Sequence, residues 1–281
     1  MRDATARLLA AGQSTTQPHI QPAARLEAEL LLCSAAGITR TTLFAWPERR
    51  LGADQAAAFE ALLQRRIDGE PMAYILGRRD FHDLELRTRP GALIPRPETE
   101  LLVDWALAAL PADAPIHAAD LGTGTGAIAL AIARARPAWT LLAVERDAAA
   151  LAIAAENRQR LGLDNVGLVR GDWLGALRAR SLDLVISNPP YVCAGDPHLD
   201  RGDLRFEPRQ ALAAGIDGLA AIRPIIRQAA QALKPGGLLL LEHGCQQGAE
   251  VRALLRAHGW CAIVTRRDLA GLERVTGARR P

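Results

Sequence analysis

Asp120-Leu121-Gly122-Thr123-Gly124-Thr125-Gly126 is the stretch that decides the fold, because it joins a short apolar run to a helical pattern. The run at 116–121 predicts a buried strand, and the pattern at 127–134 predicts a helix. Glycines in such a turn let a ligand approach the backbone, and N–H groups at the helix start face that ligand. The stretch therefore predicts a strand–loop–helix unit that binds a nucleotide-like ligand.

Strand and helix patterns alternate from this unit towards the C-terminus, which is typical of a parallel α/β sheet. The predicted strands are 116–121, 140–145, 166–169, 182–187 and 238–242, with candidate closing strands at 260–265 and 273–276. The predicted crossover helices include 148–161 and about 218–233. In such sheets, ligands bind beyond the carboxyl ends of the strands, so the residues that follow each strand are the candidate site.

The tetrapeptide Asn188-Pro189-Pro190-Tyr191 follows the strand predicted at 182–187. Asn188 offers a side-chain carbonyl, and the rigid Pro-Pro turn can hold the main-chain carbonyl of Pro189 beside it. Two adjacent acceptors suit an NH₂ group with two in-plane donors, and the Tyr191 ring offers a flat face to a planar group. We interpret the tetrapeptide as a site that binds a planar amide or amine and directs its nitrogen at an electrophile.

Acidic and aromatic residues follow the two neighbouring strands. Glu145 ends the strand at 140–145, where an acid can bind both hydroxyls of a ribose. Gly171-Asp172-Trp173 follows the next strand, where a carboxylate and an indole suit the edge and face of adenine. The glycine spacing G-x-G-x-G departs from the dinucleotide fingerprint, and the loop has no lysine for phosphates. These features favour S-adenosylmethionine and disfavour an oxidoreductase that uses a dinucleotide.

The first part of the chain has a different pattern. Residues up to about 69 are predicted to be helical, with eight arginines and eight acidic residues up to Glu70. A neutral helical region suits contact with a protein better than contact with a phosphate backbone. We predict a helical substrate-docking domain at 1–71, a β-hairpin linker at 72–97 and a catalytic domain at 98–281.

Composition excludes several classes of protein. The 281 residues are 49% hydrophobic with a net charge of +3, which does not suggest a nucleic-acid coat or a membrane-surface protein. The four cysteines are far apart and form no C-x-x-C pair, so we expect reduced thiols and no metal site. No apolar run approaches the length that spans a bilayer. We predict a cytoplasmic protein that binds neither membrane nor nucleic acid.

Three details are left open by the sequence. The Pro-Arg-Pro turn at 95–97 is either a hinge or one wall of the cleft, and the long span after Tyr191 is either an insertion or a lid over the substrate. The tetrapeptide contains no general base for neutral pH. Asp120 and His243 are weak candidates for the proton acceptor, and we favour a structural role for His243.

The order of these motifs resembles class I methyltransferases that act on planar nitrogen. The chain also closely resembles the HemK/PrmC family of peptide-chain release-factor glutamine methyltransferases. The further motifs behind this resemblance are Ile94-Pro95-Arg96-Pro97-Glu98-Thr99, Arg205-Phe206-Glu207-Pro208 and Leu241-Glu242-His243-Gly244. The resemblance implies a Rossmann-like, mostly parallel seven-stranded sheet, with a small helical N-terminal domain joined by a β-hairpin.

The resemblance also implies the reaction and its residues. A methyl group passes from S-adenosylmethionine to the side-chain amide nitrogen (N5) of the glutamine in the Gly-Gly-Gln motif of class 1 release factors, and S-adenosylhomocysteine is the product. Catalysis is carried over to Asn188, Pro189 and Tyr191, and glutamine binding to Asn188, Pro189, Pro190 and Tyr191. Cofactor binding is carried over to Gly122, Thr123, Gly124, Thr125, Gly126, Glu145, Trp173 and Asn188.

Three other functions compete with this one. A glutamine methyltransferase that acts on a ribosomal protein would show the same motifs. An adenine-N6 methyltransferase of nucleic acid would share the tetrapeptide and hold a flipped base, but it needs a basic recognition region that the neutral helical part does not offer. A non-catalytic adaptor would not need both an intact glycine loop and an intact tetrapeptide.

Overall fold

The structure is a computed structural model that describes residues 2–12, 20–175 and 178–281. Contacts divide the chain into two compact units. The helical unit comprises Met1–Gly77 together with Gly202–Phe206, and the catalytic unit comprises Arg78–Arg201 and Glu207–Pro281. The domain limits that we predict at residues 71 and 97 stay predictions. None of the described helices is long and apolar enough to cross a membrane.

The helical unit has its own apolar core. Its helices are α1 (Arg2–Ala11), α2 (Ile20–Ala36), α3 (Arg40–Ala45), α4 (Ala53–Ile67) and α5 (Met72–Leu76). Leu63 of α4 is fully buried in this core, as its helical spacing predicts, and so is Leu31 of α2. The sequence predicts that the hairpin linker begins at residue 72. This is wrong for residues 72–76, which form α5. Burial of Ile75 in the same core stabilises α5, and Gly77 ends it at a φ of 68°.

A segment from the second half of the chain completes the helical unit. Arg66 of α4 pairs with Glu27 at 2.9 Å and with Asp203 at 3.1 Å. The guanidinium of Arg205 donates to the carbonyl oxygen of Asp68 over 2.6 Å. The residues at 202–206 are therefore held by side-chain and backbone contacts with α4 and its C-terminal turn.

The catalytic unit begins with a β-hairpin, in which β1 (Arg78–Phe81) pairs antiparallel with β2 (Leu84–Arg87). Its central sheet contains β3 (His117–Leu121), β4 (Thr140–Glu145), β5 (Val166–Arg170), β6 (Leu182–Ser187), β7 (Leu233–Glu242), β8 (Cys261–Arg267) and β9 (Glu273–Arg279). Its helices are α6 (Glu100–Ala109), α7 (Ala127–Ala135), α8 (Ala148–Leu161), α9 (Ile222–Ala232) and α10 (Gly248–Ala257). This alternation confirms the predicted α/β class.

The described strands form a seven-stranded sheet in the order β5-β4-β3-β6-β7-β9-β8. The pairs from β5 to β7 are parallel, and β9 runs antiparallel to both β7 and β8. Side chains alternate across β7, so that Leu240 packs with α6 and α7 on one face while Leu239 packs with α9 and α10 on the other. Both faces of the central strands are covered, which explains their continuous apolar runs.

Two predicted elements near the end of the sheet differ from the structure. Helix α9 begins at Ile222 rather than at about 218. The carboxylate of Asp217 accepts the N–H of Leu219 over 3.0 Å, and Gly218 has a φ of 72°, so the chain turns there instead of starting a helix. Strand β7 begins at Leu233 rather than at residue 238, because the turn at 234–237 pairs with the backbone of Arg280.

Candidate active site

The glycine loop and the Asn-Pro-Pro-Tyr tetrapeptide leave the sheet from adjacent strands. Leu121, the last residue of β3, pairs with Ser187, the last residue of β6. The hydroxyl of Ser187 also donates to the carbonyl oxygen of Leu121 over 2.7 Å. Strand order reverses at this point of the sheet, where open α/β sheets bind their ligands.

The glycine loop has a backbone that side chains would strain. Gly122, Gly124 and Gly126 have φ angles of 69°, 58° and 87°. A Cβ atom at Gly126 would also lie 2.8 Å from the Cδ1 of Leu130. At Gly122 the indole of Trp173 lies in van der Waals range, 3.5 Å from the position of a Cβ atom. The loop and the indole therefore form one continuous surface.

Glu145 is held in one orientation by two backbone donors. The N–H of Gly124 donates to its Oε2 and the N–H of Asp147 donates to its Oε1, each over 3.0 Å. A carboxylate oxygen has two lone pairs, so each oxygen can still accept one further hydrogen bond. Glu145 lines the cavity described below, and this arrangement suits the two hydroxyls of a ribose.

Asp120 lies beneath the loop and is fully buried. Its Oδ2 accepts the hydroxyl of Thr123 over 2.5 Å and the N–H of Ala129 over 3.2 Å, which fixes the loop to α7. Its Oδ1 has no hydrogen-bond partner in the described part of the chain. Burial raises the pKa of Asp120 to about 7, although the two hydrogen bonds oppose the rise.

An open cavity of about 680 Å³ lies beside the loop, counting the space that is open to solvent. The predicted site residues that line it are Gly122, Gly124, Glu145, Trp173, Asn188 and Pro190. Asp172 also lines it, beside Trp173. The structure thus brings the residues predicted for ribose, adenine and the planar amide to a single cavity.

Other predicted site residues lie outside the lining of the cavity. The side chain of Thr123 is buried against Asp120, and the carbonyl oxygen of Thr125 accepts the side-chain amide of Asn157 over 3.0 Å. Gly126 precedes the first turn of α7, and Pro189 is buried in the tetrapeptide. Thr123, Thr125 and Gly126 shape the loop, and the ring of Pro189 shapes the turn.

The tetrapeptide is fixed by side chains from distant parts of the sequence. The amide nitrogen of Asn188 donates to the hydroxyl of Thr99 over 3.0 Å. The hydroxyl of Tyr191 donates to Glu242 Oε1 over 3.2 Å, and burial raises the pKa of that tyrosine. This bond uses the amide nitrogen of Asn188, so the acceptor that the side chain can offer to a substrate is its carbonyl oxygen.

His243 has the structural role that the sequence analysis favours. It is fully buried, its Nδ1 lies 2.9 Å from the carbonyl oxygen of Gly244, and its Nε2 lies 2.8 Å from the hydroxyl of Thr276. Burial lowers the pKa of the imidazole, so it stays neutral at physiological pH. Both ring nitrogens are engaged, which leaves neither for a substrate proton.

Sequence reasoning missed one wall of the cavity. Residues 208, 210 and 211 line it, as do residues 91–93 and Asp147. The side-chain amide of Gln210 donates to Asp147 Oδ2 over 2.7 Å, and the preceding Glu207 pairs with Arg96. The span after Tyr191, for which we considered a lid, therefore returns to the cofactor side of the site. Its unusual length and the motif at 205–208 were the signals in the sequence.

Comparisons with known proteins divide the chain as the motifs do. The sequence profile of a family described as "PrmC N-terminal domain" matches residues 2–77. The profile described as "Methyltransferase small domain" matches residues 99–200, which include the glycine loop and the tetrapeptide.

Curated relatives cover nearly the whole chain. The release factor glutamine methyltransferase of Pseudomonas aeruginosa is 53% identical over 255 residues, which is 91% of this chain and 92% of the relative. The chain belongs to the release factor glutamine methyltransferase family. The family member from Escherichia coli K12 is 45% identical, over 95% of this chain and 96% of its own length. The predicted family is therefore confirmed.

Solved structures agree on the fold of this family member. A Thermus thermophilus 16S rRNA N2 G1207 methyltransferase, solved with AdoMet and guanosine, matches 73% of this chain and 50% of its own with a TM-score of 0.55 and 21% identity. A ribosomal protein L11 methylase from Lactobacillus delbrueckii matches 70% of this chain and 86% of its own, with a TM-score of 0.52 and 18% identity. These likenesses confirm the predicted fold of class I methyltransferases.

Proposed function

We propose that this protein transfers a methyl group from S-adenosylmethionine to the side-chain amide nitrogen (N5) of the glutamine in the Gly-Gly-Gln motif of class 1 peptide chain release factors. S-adenosylhomocysteine is the second product. The family membership supports this reaction, since relatives that are 45–53% identical bear this name. The observation that supports it best is local. Asn188 lines the cofactor cavity with its amide nitrogen bound to Thr99 and its carbonyl oxygen available.

The cavity fits S-adenosylmethionine by the chemistry of its donors and acceptors. Glu145 would accept hydrogen bonds from the ribose hydroxyls, and Asp172 and Trp173 would contact the edge and face of adenine. The free oxygen of Asp120 beneath the loop is a buried acceptor that suits a cationic ligand group. When bound, this cofactor supplies an activated methyl group on a positively charged sulfur.

The amide nitrogen of glutamine is a poor nucleophile, and in our proposal the tetrapeptide activates it. The lone pair of an amide nitrogen is delocalised into the carbonyl group, so the nitrogen must be both polarised and aimed. In our proposal the carbonyl oxygens of Asn188 and Pro189 accept its two N–H groups, and this fixes the direction of the nitrogen. Tyr191 and Pro190 complete the binding site for the planar side chain. The proton leaves after methyl transfer, to water.

The helical unit is the proposed docking surface for the release factor. Its arginines and acidic residues balance, which suits a protein partner better than a nucleic acid. We keep the functional division at residues 1–71, 72–97 and 98–281 as a proposal. Release factors act on ribosomes, so the proposed place of action is the cytoplasm.

The test is mass spectrometry of a purified class 1 release factor after incubation with this protein and S-adenosylmethionine. We expect one added methyl group, on the glutamine of the Gly-Gly-Gln motif. A release factor with asparagine in place of that glutamine, and the N188A variant of this protein, are the controls. Methylation of a ribosomal protein or of adenine, with the release factor unmodified, would reject the proposal.

A further inference from the structure

Glu242 is a buried acid that touches the tetrapeptide but is absent from every site that the sequence suggested. It ends β7, next to β6, and only 1% of its surface is exposed. Its Oε1 accepts the hydroxyl of Tyr191 over 3.2 Å, and the hydroxyl of Thr99 is a second hydrogen-bonding neighbour of the carboxyl group. Its Oε2 is buried and has no hydrogen bond of regular geometry in the described part of the chain. A buried carboxyl group with a free oxygen is costly and requires an explanation.

Thr99 connects this acid to the residue that binds the substrate. Its hydroxyl has one proton to donate and accepts the amide nitrogen of Asn188 over 3.0 Å. An asparagine amide has nearly the same shape in its two flipped orientations, so the direction of the neighbouring hydrogen bonds decides which atom faces the cavity. A carboxylate only accepts hydrogen bonds, so a hydrogen bond between Thr99 and ionised Glu242 uses the proton of Thr99. The oxygen of Thr99 is then an acceptor, which selects the nitrogen of Asn188.

We propose that Glu242 is a positioning residue that accepts hydrogen bonds from Thr99 and Tyr191 as a carboxylate, and thereby turns the carbonyl oxygen of Asn188 towards the substrate amide. The inference rests on the proposed function. We define the acceptor pair as Asn188 Oδ1 and the Pro189 carbonyl oxygen. Glu242 is the group that makes the oxygen of Asn188, rather than its nitrogen, face the substrate. Glu242 itself does not touch the reacting atoms.

The inference predicts a dependence on pH because protonation changes the hydrogen-bonding character of Glu242. A proton on the carboxyl oxygen that faces Thr99 turns that oxygen into a donor, so the hydroxyl of Thr99 no longer gives its proton to Glu242. Burial raises the pKa of Glu242 to about 7, with the charge of Glu98 adding to the rise, while Thr99, Tyr191 and Arg274 oppose it. The positive charges of Arg274 and Arg96 also act on Tyr191, where they oppose the rise of its pKa. Turnover is therefore expected to fall as the pH drops below about 7.

The amide variant E242Q is the counterpart of the protonated acid. Glutamine, like protonated glutamate, has one acceptor oxygen and one donor group in this position. The E242Q protein should therefore behave at every pH as the wild type behaves at low pH. Asp120 has a similar pKa and could produce an acid limb of its own through the cofactor site, so E242Q distinguishes the two acids.

The experiment measures kcat for release-factor methylation from pH 5.5 to 8.5, with S-adenosylmethionine and release factor saturating. For the wild type we expect an acid limb with a loss of about tenfold per pH unit below the pKa. For E242Q we expect a kcat at least about fivefold lower at pH 8 and no acid limb, with unchanged cofactor affinity by calorimetry. D183N is the matched control, an acid-to-amide change at the far end of β6 where Asp183 binds Lys234. It should keep the wild-type profile.

Two variants of Thr99 keep the test decisive if E242Q does not fold. T99S retains the hydroxyl and should keep most of the wild-type turnover. The isosteric T99V lacks the hydroxyl and should lose as much turnover as E242Q. A wild-type kcat in E242Q or T99V would overturn the positioning role. A wild-type protein that methylates no glutamine at any pH would instead reject the proposed function.

Discussion

Arg96 forms an ion pair with Glu207, 111 positions later in the chain, and this pair links two segments of the cavity wall. The side chain of Glu207 is fully buried and also accepts the N–H of Ile94 over 3.3 Å. Leu93 on one side and Pro208 on the other line the cavity. One carboxylate therefore holds both segments in place.

We predict that R96A destabilises the protein and weakens binding of S-adenosylmethionine. The variant removes the ion pair that Arg96 makes with the buried carboxylate of Glu207, which costs about 2–4 kcal/mol in unfolding free energy. Urea unfolding measures this loss, and the double variant R96A/E207Q should recover part of it. R89A removes an exposed pair with Glu156 and should cost less than about 1 kcal/mol. Equal stability of R96A and the wild type would contradict the prediction.

A second prediction concerns Asn188, whose carbonyl oxygen lies at the cavity. We expect N188A to lower kcat by about a hundredfold or more, because one half of the acceptor pair is lost in the transition state. Affinity for S-adenosylmethionine, measured by calorimetry, should change much less. Turnover equal to the wild type would exclude Asn188 from amide binding.

The opposite effects are expected at Glu145, where a substitution should weaken cofactor binding and change kcat little. Loss of a hydrogen bond to a charged group costs about 1.5–3 kcal/mol, so E145Q should weaken cofactor binding by about tenfold to a hundredfold. At saturating cofactor its kcat should stay near that of the wild type. E156Q alters an exposed acid on α8 and serves as the control in the same calorimetric titration. An unchanged dissociation constant in E145Q would remove Glu145 from the ribose site.

The contribution of Asp120 to the free energy of unfolding should fall as the pH rises towards neutrality. Asp120 has a pKa of about 7 in the folded chain against 3.8 as its ordinary value, so the folded state holds a proton that the unfolded chain has lost. Its contribution is fully present below pH 4 and is lost by about pH 7, and Glu242 acts in the same direction. His243, whose pKa is lowered, acts in the opposite direction.

D120N isolates the contribution of Asp120. Between pH 5 and 7, the decline in unfolding free energy should be smaller in D120N than in the wild type, by at most about 1.4 kcal/mol per pH unit. Urea unfolding at several pH values measures both slopes. Parallel curves for the two proteins would show that Asp120 is ionised throughout this range.

The sequence was sufficient for the sheet and for the residues that follow its strands. The bounds of β4, α8 and β6 agree with the predicted 140–145, 148–161 and 182–187. Buried parallel strands form continuous apolar runs, and their carboxyl ends share one edge, so Glu145 and Asn188 could be placed from the sequence.

Contacts between distant segments could not be predicted in this way. Glu242 lies 51 positions from Tyr191 and Arg96 lies 111 positions from Glu207, and no local pattern indicates either pair. The start of α5 was missed for a similar reason. Its five residues are too few to show a helical period, and burial of Ile75 in the helical core decides their conformation.

Residues 202–206 limit how this protein can be divided or recombined. A fragment that ends at Gly77 would leave Arg66 without Asp203 and the carbonyl oxygen of Asp68 without Arg205. A chimera that replaces only the N-terminal segment would join the helices of one protein to the loop of another. A change of substrate recognition through exchange of the helical unit therefore requires that both pieces be transferred together.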